Sequence, residues 1–570
     1  MQNQPLTRDR IRRCIKKLSD NIRAENISYP SYLELYSGAE NLENIDNKNN
    51  TVIYGRRGSG KTHLLRALQE KINGRSEEDR HLAVYLDLRR VIPLLPSDAS
   101  DPELDALLIF KHVLQEVALQ IAADTPALLG LNEFDPVNTL AIRVRRERLE
   151  QLLQSLYLEY DGRSYSKPSR LEVTEEERRS LSADARLSAQ PSVGITGARE
   201  VASRKSEQQQ RYVSVLEVSG ILEQIISTAE LGRLFVLLDE WSEVSLETQL
   251  LLAELMKKNF SAIAVSVKIA AIPNRTNLGI KTDKKFIGLE DGGDILSYPL
   301  DLRYVFEVNK LQTRGFFNDL LRRHLRAIDG QAVDDLLAAD KRGEDNLINC
   351  FFANVALGEV LIACAGVPRD FMNLTINAYD KLLLTGNGAR ISVKHLRSAN
   401  HEWYESDKKE QVDKHPVERQ LLGAIVQEVI GRKKSIHFLV PEKYSQNKHI
   451  LNLIDFRVMH LRRSGYSHKD HSGEGYNVYS IDYGCYNSLN ISKNKLESLS
   501  FDSLAGKDLR DVRRISLEEP FFAQFFMSVG EAFPCPHCRR PVDTSHLAYK
   551  KQRLCNNCFE SIAVGGGVGA

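Results

Sequence analysis

Between Thr51 and Leu68 the chain reads TVIYGRRGSGKTHLLRAL. Gly55 to Thr62 fits G-x-x-x-x-G-K-[ST] in full, and no other stretch limits the fold so tightly. The pattern demands a strand before it and a helix after it. TVIY is β-branched and aromatic, and HLLRALQEKI repeats its apolar residues at helical spacing. In that setting glycines let backbone N–H groups close around phosphates, and the helix N-terminus adds a favourable dipole. Gly55, Gly58, Ser59, Gly60, Lys61, Thr62 and His63 are therefore the expected nucleotide contacts. Lys61 would reach the β- and γ-phosphates, and Thr62 would ligate Mg²⁺. Arg56 and Arg57, inside the loop, have no assigned part.

Such a loop needs a second carboxylate at the end of a buried strand. RLFVLLDEW (233–241) supplies Asp239 after an apolar run, with Glu240 following. Asp239 would hold the metal through water, and Glu240 would polarise the attacking water. The next strand runs through AIAVSVKIAAIPNR, so Asn274 falls at a strand tip where it can touch the γ-phosphate or form an ordinary Pro-Asn turn. Downstream, Gly366-Val-Pro368-Arg369-Asp370 breaks one helix and starts another, which sets Arg369 near a helix start.

Strands (including HLAVYLDL, 81–88) alternate with apolar helices up to about residue 310. That alternation argues for an α/β fold with a parallel sheet covered on both faces. The stretch 163–212 is rich in Ser, Glu, Arg and Gln and reads as an irregular insertion, with a short hairpin near SVGITGAREVAS. Basic and acidic residues balance at 77 against 76, so any surface for a polyanion has to be local. MQNQPLTRDRIRRCIKKL has no apolar core of a signal peptide, and no run of about 18 apolar residues is expected. These features set the expectation of a cytoplasmic chain without a membrane partner.

The series of phosphate loop, Asp239-Glu240, strand-end Asn274 and Gly-x-Pro-Arg in a helical region resembles the AAA+ ATPases of the origin-recognition/initiator type. It is similar also to the STAND switch ATPases, whose lid carries a Gly-x-Pro motif. The resemblance spans roughly residues 30–480. It implies that Asn274 is sensor 1 and that Arg369 is sensor 2, reaching the γ-phosphate from a lid. It also implies nucleotide held between subunits with an arginine supplied in trans; Arg303 qualifies by position alone, as does an ordinary surface role for it.

The expected organisation is an N-terminal helix and AAA+ core (1–310), a helical lid (311–410), a winged helix (411–490), a linker (491–532), a zinc ribbon (533–560) and a flexible tail (561–570). The winged helix rests on the order VERQLLGAIVQEVIG, SIHFLV, helices over Lys448–Arg463 and a hairpin over Tyr476–Tyr483. Residues 431–470 hold Arg432, Lys433, Lys434, Lys443, Lys448, Arg457, Arg462, Arg463 and Lys469 against three acids. Double-stranded DNA, gripped by its phosphates, is one expected partner; a protein docked on the same module is the other. Cys535-x-x-Cys538 and Cys555-x-x-Cys558 can meet one Zn²⁺ tetrahedrally, and His537 reads as a bystander. The expected function is an ATP-hydrolysing switch that couples the γ-phosphate to assembly, as a homo-oligomer or with a partner protein, and to DNA binding. The alternative is a STAND-like or antiviral-defence ATPase whose C-terminal modules hold an effector protein.

Overall fold

A computed structural model of the chain describes residues 5–27, 31–75, 80–95, 101–128, 139–156, 159–160, 165–166, 215–282, 285–340, 346–386, 388–445, 447–467, 475–488, 514–544 and 546–562. The hairpin expected near 192–203, most of the 491–532 linker and most of the tail lie outside these residues. The chain groups into two compact units. One holds residues 23–55 and 59–300; the other holds 1–22, 56–58 and 301–570.

The first unit is built on a sheet in which every pairing is parallel. Its strands are β1 (Thr51–Tyr54), β2 (His81–Asp87), β3 (Arg233–Asp239), β4 (Val265–Ala271) and β5 (Leu296–Pro299), in the order β5–β1–β4–β3–β2. Alternate side chains enter two cores. Val52, Val84, Val236 and Val267 face helices α2 (Pro102–Leu128), α3 (Val215–Thr228) and α4 (Leu246–Phe260). Ile53, Ala83, Phe235 and Ala270 face α1 (Lys61–Asn73). The result is a three-layer α/β fold, with the glycine-rich loop leading from β1 into α1. β5 is a strand that the sequence pattern did not signal, because it is four residues long and mostly exposed at the sheet edge. Helix α2 is long and apolar enough to cross a membrane by length and composition, although Lys111, His112 and Glu116 interrupt its apolar run. In the structure Phe110, Val113, Leu114, Val117 and Ile121 sink into the core of this unit.

In the second unit the N-terminal helix (Asp9–Asp20) buries Ile11, Cys14, Ile15 and Leu18, and Arg10 pairs with Asp329 of α5 (Lys310–Asp340). Residues 1–22 thus pack with the C-terminal half rather than with the core that the sequence reading joined them to. Helices α6 (Asn354–Ala363), α7 (Pro368–Thr385), α8 (Val393–Trp403) and α9 (Pro416–Val426) follow. Next come β6 (His437–Pro441), α10 (Lys448–Asp455), β7 (Met459–Ser467) and β8 (Gly475–Ile481), with antiparallel order β6–β8–β7. The helices expected through Arg463 therefore stop at Asp455. Arg457 turns left-handed at φ 59°, which ends helical hydrogen bonding, and the chain continues as β7. Helix α11 (Glu519–Ser528) precedes a two-stranded cysteine unit with its own small core.

Candidate functional site

β1 ends at Tyr54, and Gly55 N–H donates to Ala271 O at 3.2 Å, so the loop starts locked to β4. A Cβ on Gly55 would come 2.4 Å from Ser59 Oγ. That hydroxyl is buried and has no hydrogen-bond partner. Lys61 Nζ donates to Gly55 O at 2.7 Å, across the mouth of the loop. Gly60 is left-handed at φ 92°, and no side chain caps the helix that follows, so the first amides of α1 point into the loop. His63 is held elsewhere: its Nε2 lies 2.8 Å from Tyr32 O, and burial pulls its pKa down to about 4.

The strand order puts β4 between β1 and β3, so the turn after β4 lies between the loop and the acidic pair. Asp239 is buried at the end of β3 and is hydrogen-bonded by Thr62 and by Tyr85 Oη at 2.8 Å. Burial holds its carboxyl above the ordinary carboxylate range, although the Thr62 and Tyr85 hydroxyls pull the other way. A buried carboxylate beside hydroxyls is a donor set suited to a hard cation. Glu240 is left-handed at φ 56°, a costly conformation for a non-glycine residue. Burial, then the Asp239 charge, pushes its pKa up.

Three residues of this site were missed from sequence. Arg89, just past β2, lies 3.6 Å from Glu240 and 2.7 Å from Asp87, and it pairs with Glu25. Tyr85 carries the Arg66 guanidinium 3.5 Å above its ring centroid. Gln249, fully buried on α4, donates to Val244 O at 2.8 Å and to Arg275 O at 3.0 Å, and Asn277 N–H donates to its Oε1 at 2.7 Å. It thereby ties the turn after Glu240 to the turn that carries Asn274. Asn274 itself is half-buried in the turn Pro273–Arg275. Only knowledge that β2 and β4 flank β3 would have pointed to these residues.

Arg369 opens α7 in the other unit. Its N–H donates to Gly58 O at 3.3 Å, and residues 56–58 belong to that same unit. Gly58 is left-handed at φ 84°, and a Cβ there would sit 2.8 Å from Arg369 Cβ. Gly366 (φ 81°) is required in the same way, because a Cβ would meet Asp301 O and Tyr304 O at 2.9 Å. Arg303 is half-buried in the turn Asp301–Tyr304.

The Sγ atoms of Cys535, Cys538, Cys555 and Cys558 all lie within 4.8 Å of one another. Cys535–Cys558 and Cys538–Cys555 are each 3.8 Å apart. Four sulfurs about 2.3 Å from one tetrahedral ion would be separated by about this distance. His537 Nε2 instead lies 3.2 Å from Ser561 O, outside the cluster.

The basic residues of 431–470 fare differently. Arg457 is buried against Asp370 and Asp407, and Arg462 is buried against Glu307 at 3.3 Å and Ser480 Oγ at 2.7 Å. Arg432, Lys443 and Lys448 are exposed but pair with Glu428, Glu519 and Glu531, and half-buried Lys433 donates to Ser516 O. Lys434 and Arg463 are exposed, and Lys469 lies outside the described residues. Arg457 and Arg462 are therefore removed from any surface that meets DNA.

Residues 18–115 match the family model ORC-CDC6-like. No curated protein sequence matches the chain. Among solved structures, the Aeropyrum pernix Orc1 protein in complex with DNA is 13% identical; the match covers 81% of this chain and 94% of that one, with a TM-score of 0.30. Two Thermotoga maritima RuvB variants are each 14% identical, covering 56% and 66% of this chain and 96% and 94% of theirs, with TM-scores of 0.21 and 0.19. At TM-scores this low, the structural likenesses carry no argument about function.

Proposed function

We propose that the chain is an ATP-binding and ATP-hydrolysing switch. The observation that carries this reading is the contact of Thr62 with Asp239 beneath a complete phosphate loop, with Glu240 beside them. The loop amides, Ser59 and Lys61 bind the phosphates. Thr62 and Asp239 would hold Mg²⁺, which when bound neutralises charge on the transferring phosphoryl group. Glu240 orients the attacking water and accepts its proton, a task that a carboxylate of raised pKa performs well near neutral pH. Arg89 fixes the Glu240 side chain. Asn274 and Arg369 read the γ-phosphate. Binding of mant-ATP should be lost in Lys61→Ala. Glu240→Gln should keep binding while turnover falls about 10²–10⁴-fold; wild-type turnover in that variant refutes the assigned role.

The four cysteines would hold Zn²⁺ as a closed structural site, with its binding supplying on the order of 10 kcal/mol to fold a unit of so little core. Metal analysis should find one zinc per chain, lost in Cys555→Ser.

For the partner, the winged-helix reading is supported by the succession α9, β6, α10, β7, β8 and its sheet order. Lys434 and Arg463 are among its exposed cations, with Arg432, Lys443 and Lys448, and would meet duplex phosphates. A specific observation favours the second reading, a docked effector protein. α10, the helix that the winged-helix reading would set against bases, has polar groups engaged within the unit: His449 by Glu418 and Glu531, Asn452 by Glu418, and Lys448 by Glu531. Salt-sensitive, ATP-dependent duplex binding that falls in Lys434→Ala/Arg463→Ala supports DNA; no binding at low salt leaves the protein partner. Homo-oligomer assembly in a cytoplasmic setting completes the proposal, and light scattering with and without ATP tests the assembly.

A further inference from the structure

The two arginines of the phosphate loop take no part in the proposed ATP chemistry, and one of them has an unusual environment. Arg56 is buried, and its four nitrogens each have a partner inside the C-terminal unit. Its backbone N–H donates to Asp301 Oδ2 at 3.2 Å, and its Nε donates to the same oxygen. Nη2 donates to Ala365 O at 2.7 Å, one residue before the Gly366 turn. Nη1 lies 2.8 Å from Nδ1 of His460, on β7. With its nitrogens committed in this way, Arg56 is an anchor and not a phosphate ligand.

The chain of contacts continues past His460. Its Nε2 lies 2.9 Å from Asp482 Oδ2. Burial keeps the imidazole neutral, with its pKa pulled down to about 3. The neutral ring therefore donates from Nε2 to Asp482 and accepts at Nδ1 from Arg56. Asp482 also takes the Lys408 ammonium at 2.6 Å, and Lys408 lies 3.3 Å from Asp370. Asp370 is the residue after Arg369, and Arg457 closes the cluster on it. Lys408, Asp482 and Asp370 are all but fully buried.

A buried ionic cluster is poor value as a stabiliser, because apolar residues of the same volume commonly do as well. What such a cluster does provide is directional dependence: a buried cation held by one carboxylate and one imidazole nitrogen cannot keep its geometry if either moves. We propose that Arg56 and His460 are positioning residues of the nucleotide site, through which the β7–β8 hairpin sets the conformation of the phosphate loop. The inference rests on the reading of Gly55–Thr62 as an ATP site. By linkage, whatever shifts β7 changes ATP affinity, and ATP shifts β7 by the same coupling free energy. A partner docked on the hairpin would thus be sensed at Arg56 without touching nucleotide.

The test is a double-mutant cycle on the full-length protein, with mant-ATP affinity and KM against kcat as readouts and thermal unfolding as the check on folding. Arg56→Gln and His460→Gln are each expected to weaken mant-ATP binding about 10-fold. The double variant should be no weaker than the worse single one, since both remove one contact. KM should rise more than kcat falls, which a general loss of structure would not produce. Additive losses, or a folded His460→Gln protein with wild-type affinity, overturn the proposal. If the variants do not fold, hydrogen exchange on the wild-type protein decides. ATP should slow exchange in residues 459–463 and 480–482, and unchanged exchange there overturns the proposal. Lys61→Ala separates the two ideas. Wild-type mant-ATP binding in that variant defeats the nucleotide-site reading, whereas lost binding alongside an unaffected His460→Gln defeats the coupling alone.

Discussion

Each unit buries an aspartate almost completely, and the two differ in what surrounds them. Asp239, in the first unit, has hydroxyl donors from Thr62 and Tyr85, and burial leaves its carboxyl above the ordinary range. Asp482, in the second, touches the Lys408 ammonium and His460, and those partners hold its carboxyl far below that range. The difference separates two uses of a buried charge. Asp482 is satisfied by the protein itself. Asp239 is under-compensated by the protein, which is the condition of a group whose counter-charge is a ligand.

The largest effect should come from neutralising the under-compensated member. Asp239→Asn is expected to abolish Mg²⁺-dependent ATP turnover, by about 100-fold or more on the scale of lost electrostatic stabilisation. In metal-free protein, however, its unfolding free energy should equal or exceed that of the wild type, since a buried charge has been removed. Turnover assays and denaturant melts in EDTA check both halves. A variant that is both inactive and strongly destabilised would erase the distinction from Asp482.

Asp482→Asn should do the reverse. It strands Lys408 with only Asp370 as a carboxylate partner and loosens His460, so a loss of about 3–5 kcal/mol in unfolding free energy is expected. Urea melts measure it. Mild destabilisation, under about 1 kcal/mol, would mean that the cluster relaxes easily and that Asp482 is no more satisfied than Asp239.

The two regions also differ in how far they were legible from sequence. Gly55–Thr62 and the paired C-x-x-C knuckles are local: the residues of each motif lie close together in the chain. Asp239-Glu240 could be placed because a strand end is a local feature too. The Arg56 cluster could not, since His460 lies 404 residues from Arg56 and Asp482 a further 22 on. The same blindness misread Arg457 and Arg462 as cations for DNA. A basic bias counts charges along the chain, but Glu307, which neutralises Arg462, is 155 residues away. Tyr85, Arg89 and Gln249 escaped for a related reason: strand order, which brings β2 and β4 to either side of β3, is set by packing and not by any one segment.

The smallest effect, and the finest test of the comparison, lies with two lysines. Lys268 on β4 and Lys408 are both fully buried. Lys268 meets only neutral acceptors, Asn47 O at 3.0 Å, Asn49 O at 2.7 Å and Thr51 Oγ1 at 3.1 Å, and burial pulls its pKa down to about 7. Lys408 meets two carboxylates, and its pKa is raised despite burial. For Lys268 the folded pKa lies below the unfolded one, so between pH 7 and 10.5 the unfolded chain binds more protons. Stability contributed through this residue therefore rises with pH across that window, by at most about 1.4 kcal/mol per pH unit, and is flat below it. Unfolding free energies of the wild type minus those of Lys268→Met, taken from pH 6 to 9, should show that rise. The same difference for Lys408→Met should be large at every pH and have no such slope, because Lys408 stays charged in both states throughout. Equal slopes for the two would mean that neutral carbonyls hold a buried ammonium as well as carboxylates do, and the contrast between the units would fail at its root.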